Sequence, residues 1–217
     1  MSVQPATGNR RQPSLTREQV ARAALELLDR EGLDGLSMRR LAGELGVGTM
    51  TLYGYFRGKR ELLDAVLDVA AEDFEAPPER DTFRAQVVAY ALAARAWLLR
   101  HPSIVRLRGE DAIVRPSAFA VSEGLMRLLV DAGLPPEDCA RAFRVLFTYV
   151  FGSALVSPGE PDDATRRAVH AALLTLPREE FPAMRSVAHH AGDALGGERQ
   201  FVYGLELILD GIEARRP

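Results

Sequence analysis

Gly48, Thr49, Met50, Thr51, Tyr53, Gly54, Tyr55 and Lys59 crowd two hydroxyls, two phenols, two glycines and an ammonium into one short stretch. The chain has no glycine-rich phosphate loop and no nucleophile elbow, so the stretch does not read as catalytic. Its chemistry suits the reading of a polyanion. Threonine hydroxyls can meet base edges or phosphates, and their methyls can meet thymine. The glycines permit close approach, while the phenols and Lys59 can reach phosphate oxygens. The plainer alternative is that aromatic residues at this spacing are core, and Phe56 reads that way.

These side chains need a scaffold. "LSMRRLAGEL" reads as a short helix capped by Ser37. The turn "LGVG" follows, and a further helix begins at Gly48 or Thr49 and ends near Phe56. This is the spacing of a helix-turn-helix, whose second helix lies in the DNA major groove. Leu45, Val47, Leu52 and Phe56 can hold the two helices together. Arg39 and Arg40 sit early in the first of them, where one can grip the DNA backbone or enter the groove. Upstream, "LTREQVARAALELLDREG" is a well-marked helix. Thr16 and Gln19 form a capping box, Leu15 can staple onto Val20, and Gly32 ends it. Downstream, "KRELLDAVLDVAAEDF" starts a fourth helix that runs to Pro77-Pro78.

Charge is unevenly spread. Residues 1–60 carry 10 Lys+Arg against 6 Asp+Glu, a net +4, within a chain of net charge −3. A basic head on an acidic body fits a polyanionic partner. The only lysine is Lys59, and the single cysteine, Cys139, can form no internal disulfide, so a reducing cytoplasm is expected. No apolar run is expected to reach the roughly 18 to 20 residues that span a bilayer, and the N-terminus lacks a signal-peptide core.

Residues 16–62 resemble the DNA-binding domain of the TetR family of transcriptional repressors. The resemblance rests on Ser37, Arg39, Leu41, Ala42, Leu45, Gly46, Val47, Leu52, Tyr53, Phe56, Lys59 and Leu62 in the family's order and spacing. It implies phosphate contacts by Tyr53 and Lys59, and base reading around Thr49, Met50, Thr51 and Gly54. Tyr55 stands where the family has histidine, so a phosphate contact there would come from a phenol. Gly54 replaces a larger side chain, which removes a base contact and costs up to about 1 kcal/mol of helix propensity.

The rest of the chain reads as helices throughout, at about 81–100, 103–108, 117–132, 136–156, 162–176, 181–191 and 197–214. The expected fold is all-α: a basic arm at 1–14, a helix-turn-helix domain at 15–60, and an effector-binding and dimerisation domain at 61–217. "WLLRHP", "GLPPEDCARAFRVLFTYVFGSAL" and "FVYGLELILDGIEA" are similar to the C-terminal domain of tetracycline-repressor-like members. That resemblance implies pairing of helices 136–156 and 197–214 with their mates in a homodimer. Phe143, Phe147, Phe201, Leu205, Ile208, Leu209 and Ile212 are the expected interface, with packing inside one chain as the alternative. Trp97, Ile104, Leu107, Phe119, Met126, Phe143, Phe147, Phe151 and Met184 are candidate linings for a small apolar effector, and each also reads as plain core. His189 and Asp193 could share a metal ion, but a solvated helix end explains them as well. No cofactor and no membrane partner is expected. The chain thus reads as a non-enzymatic, ligand-responsive repressor of a palindromic double-stranded operator. The alternative is a helical ligand-binding protein or enzyme whose helix-turn-helix is only structural.

Overall fold

The computed structural model describes residues 15–110, 116–156 and 159–216. The arm at 1–14, with Arg10 and Arg11, lies outside them. Every regular element among the described residues is a helix: α1 (Arg17–Gly35), α2 (Met38–Glu44), α3 (Thr49–Tyr55), α4 (Lys59–Glu72), α5 (Phe83–Arg100), α6 (Pro102–Glu110), α7 (Pro116–Asp131), α8 (Pro136–Val156), α9 (Asp163–Thr175), α10 (Pro182–Ser186), α11 (Ala188–Ala191) and α12 (Gly197–Glu213). The chain divides into two compact units, the first ending at Val69 and the second beginning at Ala70. The division falls inside α4, later than the expected 60/61, because Leu62 and Val66 are fully buried within the first unit.

Local signals set the first unit. At the start of α1, the Gln19 N–H donates to Thr16 Oγ1 (3.1 Å) and the Thr16 N–H to Gln19 Oε1 (2.9 Å). That is the reciprocal capping box, which satisfies two amide donors the helix itself cannot. Regular α1 geometry breaks at Gly32, whose φ of 74° is open to glycine at little cost. Val20, Ala21, Ala24, Leu25, Leu27 and Leu28 form the buried face of α1, which packs on α2.

In the second unit, α8 packs against α5, α7, α6 and α12, while α9 packs on α10 and α11. Cys139, Ala142, Leu146, Val150 and Ala154 form the buried stripe of α8. One expectation needs correcting here. By length and composition, α8 is apolar enough to cross a membrane. Within this unit the helix packs its buried stripe against α5, α6, α7 and α12, as a core helix of the same composition does. The expected helix at 181–191 is two short helices, α10 and α11, with a break at Val187.

Candidate nucleic-acid interface and ligand crevice

The joint between α2 and α3 follows from backbone hydrogen bonding. Gly46, at φ 66°, is the left-handed residue after α2. The Val47 N–H donates to Ala42 O (3.0 Å) and the Gly46 N–H to Gly43 O (3.3 Å). This pair of bonds is a Schellman motif, which ends the helix and turns the chain sharply. The N-cap of α2 is Ser37, whose hydroxyl accepts from the Arg40 N–H at 3.1 Å. Leu52 and Phe56 are buried, and Leu45 and Val47 are half-buried, so α3 is pinned by its inner face.

The outer face of α3 is bare. Met50 is 79% and Tyr53 47% exposed, and Gly48, Thr51 and Gly54 are exposed as well. Thr49 is half-buried at the first turn. A Cβ placed on Gly54 would meet nothing within 4 Å, so the glycine leaves open space and makes no internal contact. Arg39 is exposed and makes no ion pair among the described residues. Arg40 is held differently: it bridges Glu31 (2.6 Å) and Glu44 (3.2 Å), and Arg30 reaches Glu44 at 2.9 Å. Of the two adjacent arginines, Arg39 is therefore the one available to a partner.

Two expected phosphate ligands turn inward. The Tyr55 hydroxyl donates to Leu15 O at 2.6 Å. Its only hydrogen is thus spent inside the unit, which corrects the expectation of a phosphate contact from this phenol. The Lys59 ammonium donates to Leu33 O at 2.9 Å, just past the break in α1, and keeps two N–H groups for another acceptor. Arg17 ties the far side together. It bonds the Tyr55 carbonyl, pairs with Glu61 at 2.9 Å and lies 4.2 Å over the Phe56 ring. The Arg57 backbone N–H, and then Arg17, hold the Glu61 carboxyl below its usual range.

In the second unit, α5, α7 and α8 enclose an apolar crevice of about 480 Å³ measured out to its open mouth. Of the residues read from sequence, Trp97, Phe143, Phe147 and Phe151 line it. The three phenylalanines form a ladder on α8, with ring centroids 5.9 and 4.6 Å apart. The other five residues do not line it. Ile104 and Leu107 are buried in α6, Met126 is half-buried on α7, and Phe119 and Met184 are 56% and 49% exposed. Sequence reading missed Tyr90, Ala91, Ala94 and Leu98 on α5, and Val121, Ser122 and Leu125 on α7. The spacing of the α5 residues along one helical face was the available signal.

The expected interface stripe is also placed differently. Phe201, Leu205, Leu209 and Ile212 are buried inside this chain, Ile208 is half-buried, and Phe143 and Phe147 face the crevice. The amphipathic face of α12 is covered by α8 and α5 of its own chain. Val145 of α8 and Tyr203 and Leu207 of α12 are exposed instead. His189 meets the ring of His170 (centroids 4.4 Å apart), and Asp193 lies 3.4 Å from Arg166. Among the described residues, no group of three or more potential ligands could hold a metal ion.

Residues 21–66 match the family model described as bacterial regulatory proteins, tetR family, and residues 76–216 match the tetracyclin repressor-like C-terminal domain. The chain belongs to the TetR family. It is 34% identical over 214 residues to the transcriptional repressor DrrR1 of Streptomyces coeruleorubidus, covering 93% of this chain and 78% of that one. It is 32% identical to the class A tetracycline repressor from transposon 1721 of Escherichia coli, covering 91% and 90%. Among solved structures, the Streptomyces coelicolor TetR family protein ActR in complex with actinorhodin aligns with a TM-score of 0.81, 33% identity, and coverage of 94% and 97%. This TetR family member is a ligand-responsive, DNA-binding transcriptional repressor. Its relatives are regulators rather than enzymes, which favours this reading over a purely structural helix-turn-helix.

Proposed function

We propose that the protein binds a palindromic operator as a homodimer in the bacterial cytoplasm and leaves it when a flat, apolar small molecule enters the α5–α7–α8 crevice. The observation that carries the DNA half is the bare outer face of α3, pinned from behind by Leu52 and Phe56. Thr49, Met50 and Thr51 would read base edges, with Gly48 and Gly54 allowing close approach. Tyr53, Arg39 and the two spare N–H groups of Lys59 would hold phosphates. Tyr55 would serve as scaffold. A second copy would cover Val145, Tyr203 and Leu207, since the stripe first expected there is spent inside the chain.

The ligand half is supported by the phenylalanine ladder and by one hydrogen bond. The Trp97 side chain, which lines the crevice, donates its indole N–H to Ala70 O at 2.8 Å in buried surroundings. Ala70 belongs to α4, the helix that begins at Lys59. A ligand that displaces Trp97 would disturb the helix that carries the Lys59 contact. A switch requires only that the ligand bind two states unequally. The test is fluorescence anisotropy of labelled DNA from upstream of the protein's own gene, with increasing aromatic ligand. If ligand saturates the crevice, by Trp97 quenching, and DNA affinity does not change, the switch reading fails.

A further inference from the structure

We infer that Tyr90 is the hydrogen-bond donor the crevice offers its ligand, and that the ligand is a flat aromatic compound carrying a carbonyl oxygen. The inference rests on the crevice being the effector site. Among the described residues, the crevice lining is apolar apart from the Tyr90 and Ser122 hydroxyls and the Trp97 N–H. The Phe143–Phe147–Phe151 ladder favours a flat ring system, since aromatic faces and edges pack well against one another.

A carbonyl on such a ligand must exchange its water for a donor in the protein. The Trp97 N–H is already committed to Ala70 O in buried surroundings, and the Ser122 side chain in the lining has a partner of its own. Tyr90 is placed to serve. It lines the crevice and also the two more open clefts beside it, so it stands where a ligand passes inward. Its hydroxyl donates to Val121 O. That carbonyl lies inside α7, where the helix supplies it with a second donor from Leu125. Val121 O therefore remains bonded when the hydroxyl hydrogen rotates toward a ligand, and the exchange leaves no orphaned group.

The phenol is also held in place. A Cβ on Gly124 would lie 2.5 Å from the Tyr90 hydroxyl, so α7 is bare where the ring rests. Phe74 packs against the same ring with centroids 5.3 Å apart. A donor fixed before the ligand arrives loses little freedom on binding. Burial pushes the Tyr90 phenol up to about 12, so the hydroxyl keeps its proton at neutral pH.

Fluorenone and fluorene test the idea, because they share one flat skeleton and differ by the carbonyl. Trp97 is the only tryptophan, so its fluorescence reports crevice occupancy in the full chain. The intact protein should bind fluorenone about tenfold more tightly than fluorene. Tyr90→Phe should abolish that preference. The infrared carbonyl stretch of fluorenone bound to the unaltered protein should lie below its value in hexane, which needs no variant. A preference that survives in Tyr90→Phe, or a stretch equal to that in hexane, overturns the role of Tyr90 and leaves the crevice reading intact. Failure of both compounds to bind overturns the crevice reading and this inference with it.

Discussion

Lys59→Met separates two roles that a single ammonium can play. Its Nζ lies 2.9 Å from Leu33 O, in partly buried surroundings. Among the described residues, that carbonyl otherwise accepts only from the Leu36 N–H, at a long 3.4 Å. Hydrogen bonds to a charged group contribute roughly 1.5–3 kcal/mol, and water can replace part of this at a half-exposed site, so a loss of about 1–2 kcal/mol is expected. Methionine keeps most of the apolar stem and removes only the donor. In a domain of this size, each 1 kcal/mol moves the midpoint of thermal unfolding by roughly 4–8 °C. The helix-turn-helix unit should therefore melt about 4–16 °C earlier by far-UV circular dichroism. Trp97 fluorescence, which reports the second unit, should show no change in midpoint. DNA binding adds an independent measurement. If a remaining N–H meets a phosphate, the slope of log K against log salt should flatten by about 0.9. A lower midpoint with an unchanged slope would refute the phosphate role and leave Lys59 as a purely internal tether. An unchanged midpoint would refute the Leu33 argument.

The remaining expectations use different observables. Gly54→Ala places a methyl in open space, so the first unit should gain about 0.5–1 kcal/mol, read from urea titration; operator affinity should fall if the duplex approaches that position closely. Gly204→Ala should do the opposite, because the new Cβ would lie 2.2 Å from the Tyr149 hydroxyl. That ring is stacked on Phe201 and donates to Phe201 O at 2.9 Å, so a loss of about 1–3 kcal/mol is expected from overpacking. Adding Tyr149→Phe should recover part of the loss by removing the clashing oxygen. The Glu61 carboxyl is held below its ordinary 4.5 by the Arg57 N–H and by Arg17. A lowered folded pKa gives stability that is complete above 4.5 and is lost as pH falls through the folded value. The stability difference between the parent chain and Glu61→Gln should thus be constant near neutrality and shrink below about pH 4.5, and a difference that does not vary with pH would contradict the pairing.

The first unit was legible because its determinants are local. Thr16 with Gln19, Ser37 before α2 and Gly46 after it each act within five residues; both caps form as expected, and Gly46 lies in the turn read between the two helices. The inward turn of Tyr55 and Lys59 was not legible. It depends on Leu15 and Leu33, which are far away in sequence and come near only once α1 packs. The α8 ladder was partly legible, since aromatic residues at i, i+4 and i+8 must share one face. Tyr90 was not, because a phenol in an apolar helix reads as core until the notch at Gly124 and the open clefts beside it are seen.

The α12 stripe shows why one face pattern can mislead. Phe201, Leu205, Leu209 and Ile212 repeat at helical spacing, and such a stripe says only that something apolar covers it. Within the second unit α8 and α5 provide that cover, so the pattern was real and its partner was misassigned. What distinguishes an outer interface is apolar surface left over after the core is formed. On α12 and α8 that remainder includes Tyr203, Leu207 and Val145, with Leu155 and Val156 at the end of α8. Tyr203→Glu and Leu207→Glu introduce charge where the chain itself makes little use of the side chain. Each should leave the midpoint of a dilute monomer nearly unchanged, as surface substitutions do, and yet weaken self-association measured by sedimentation. If both variants assemble like the parent chain, a second copy does not cover this face.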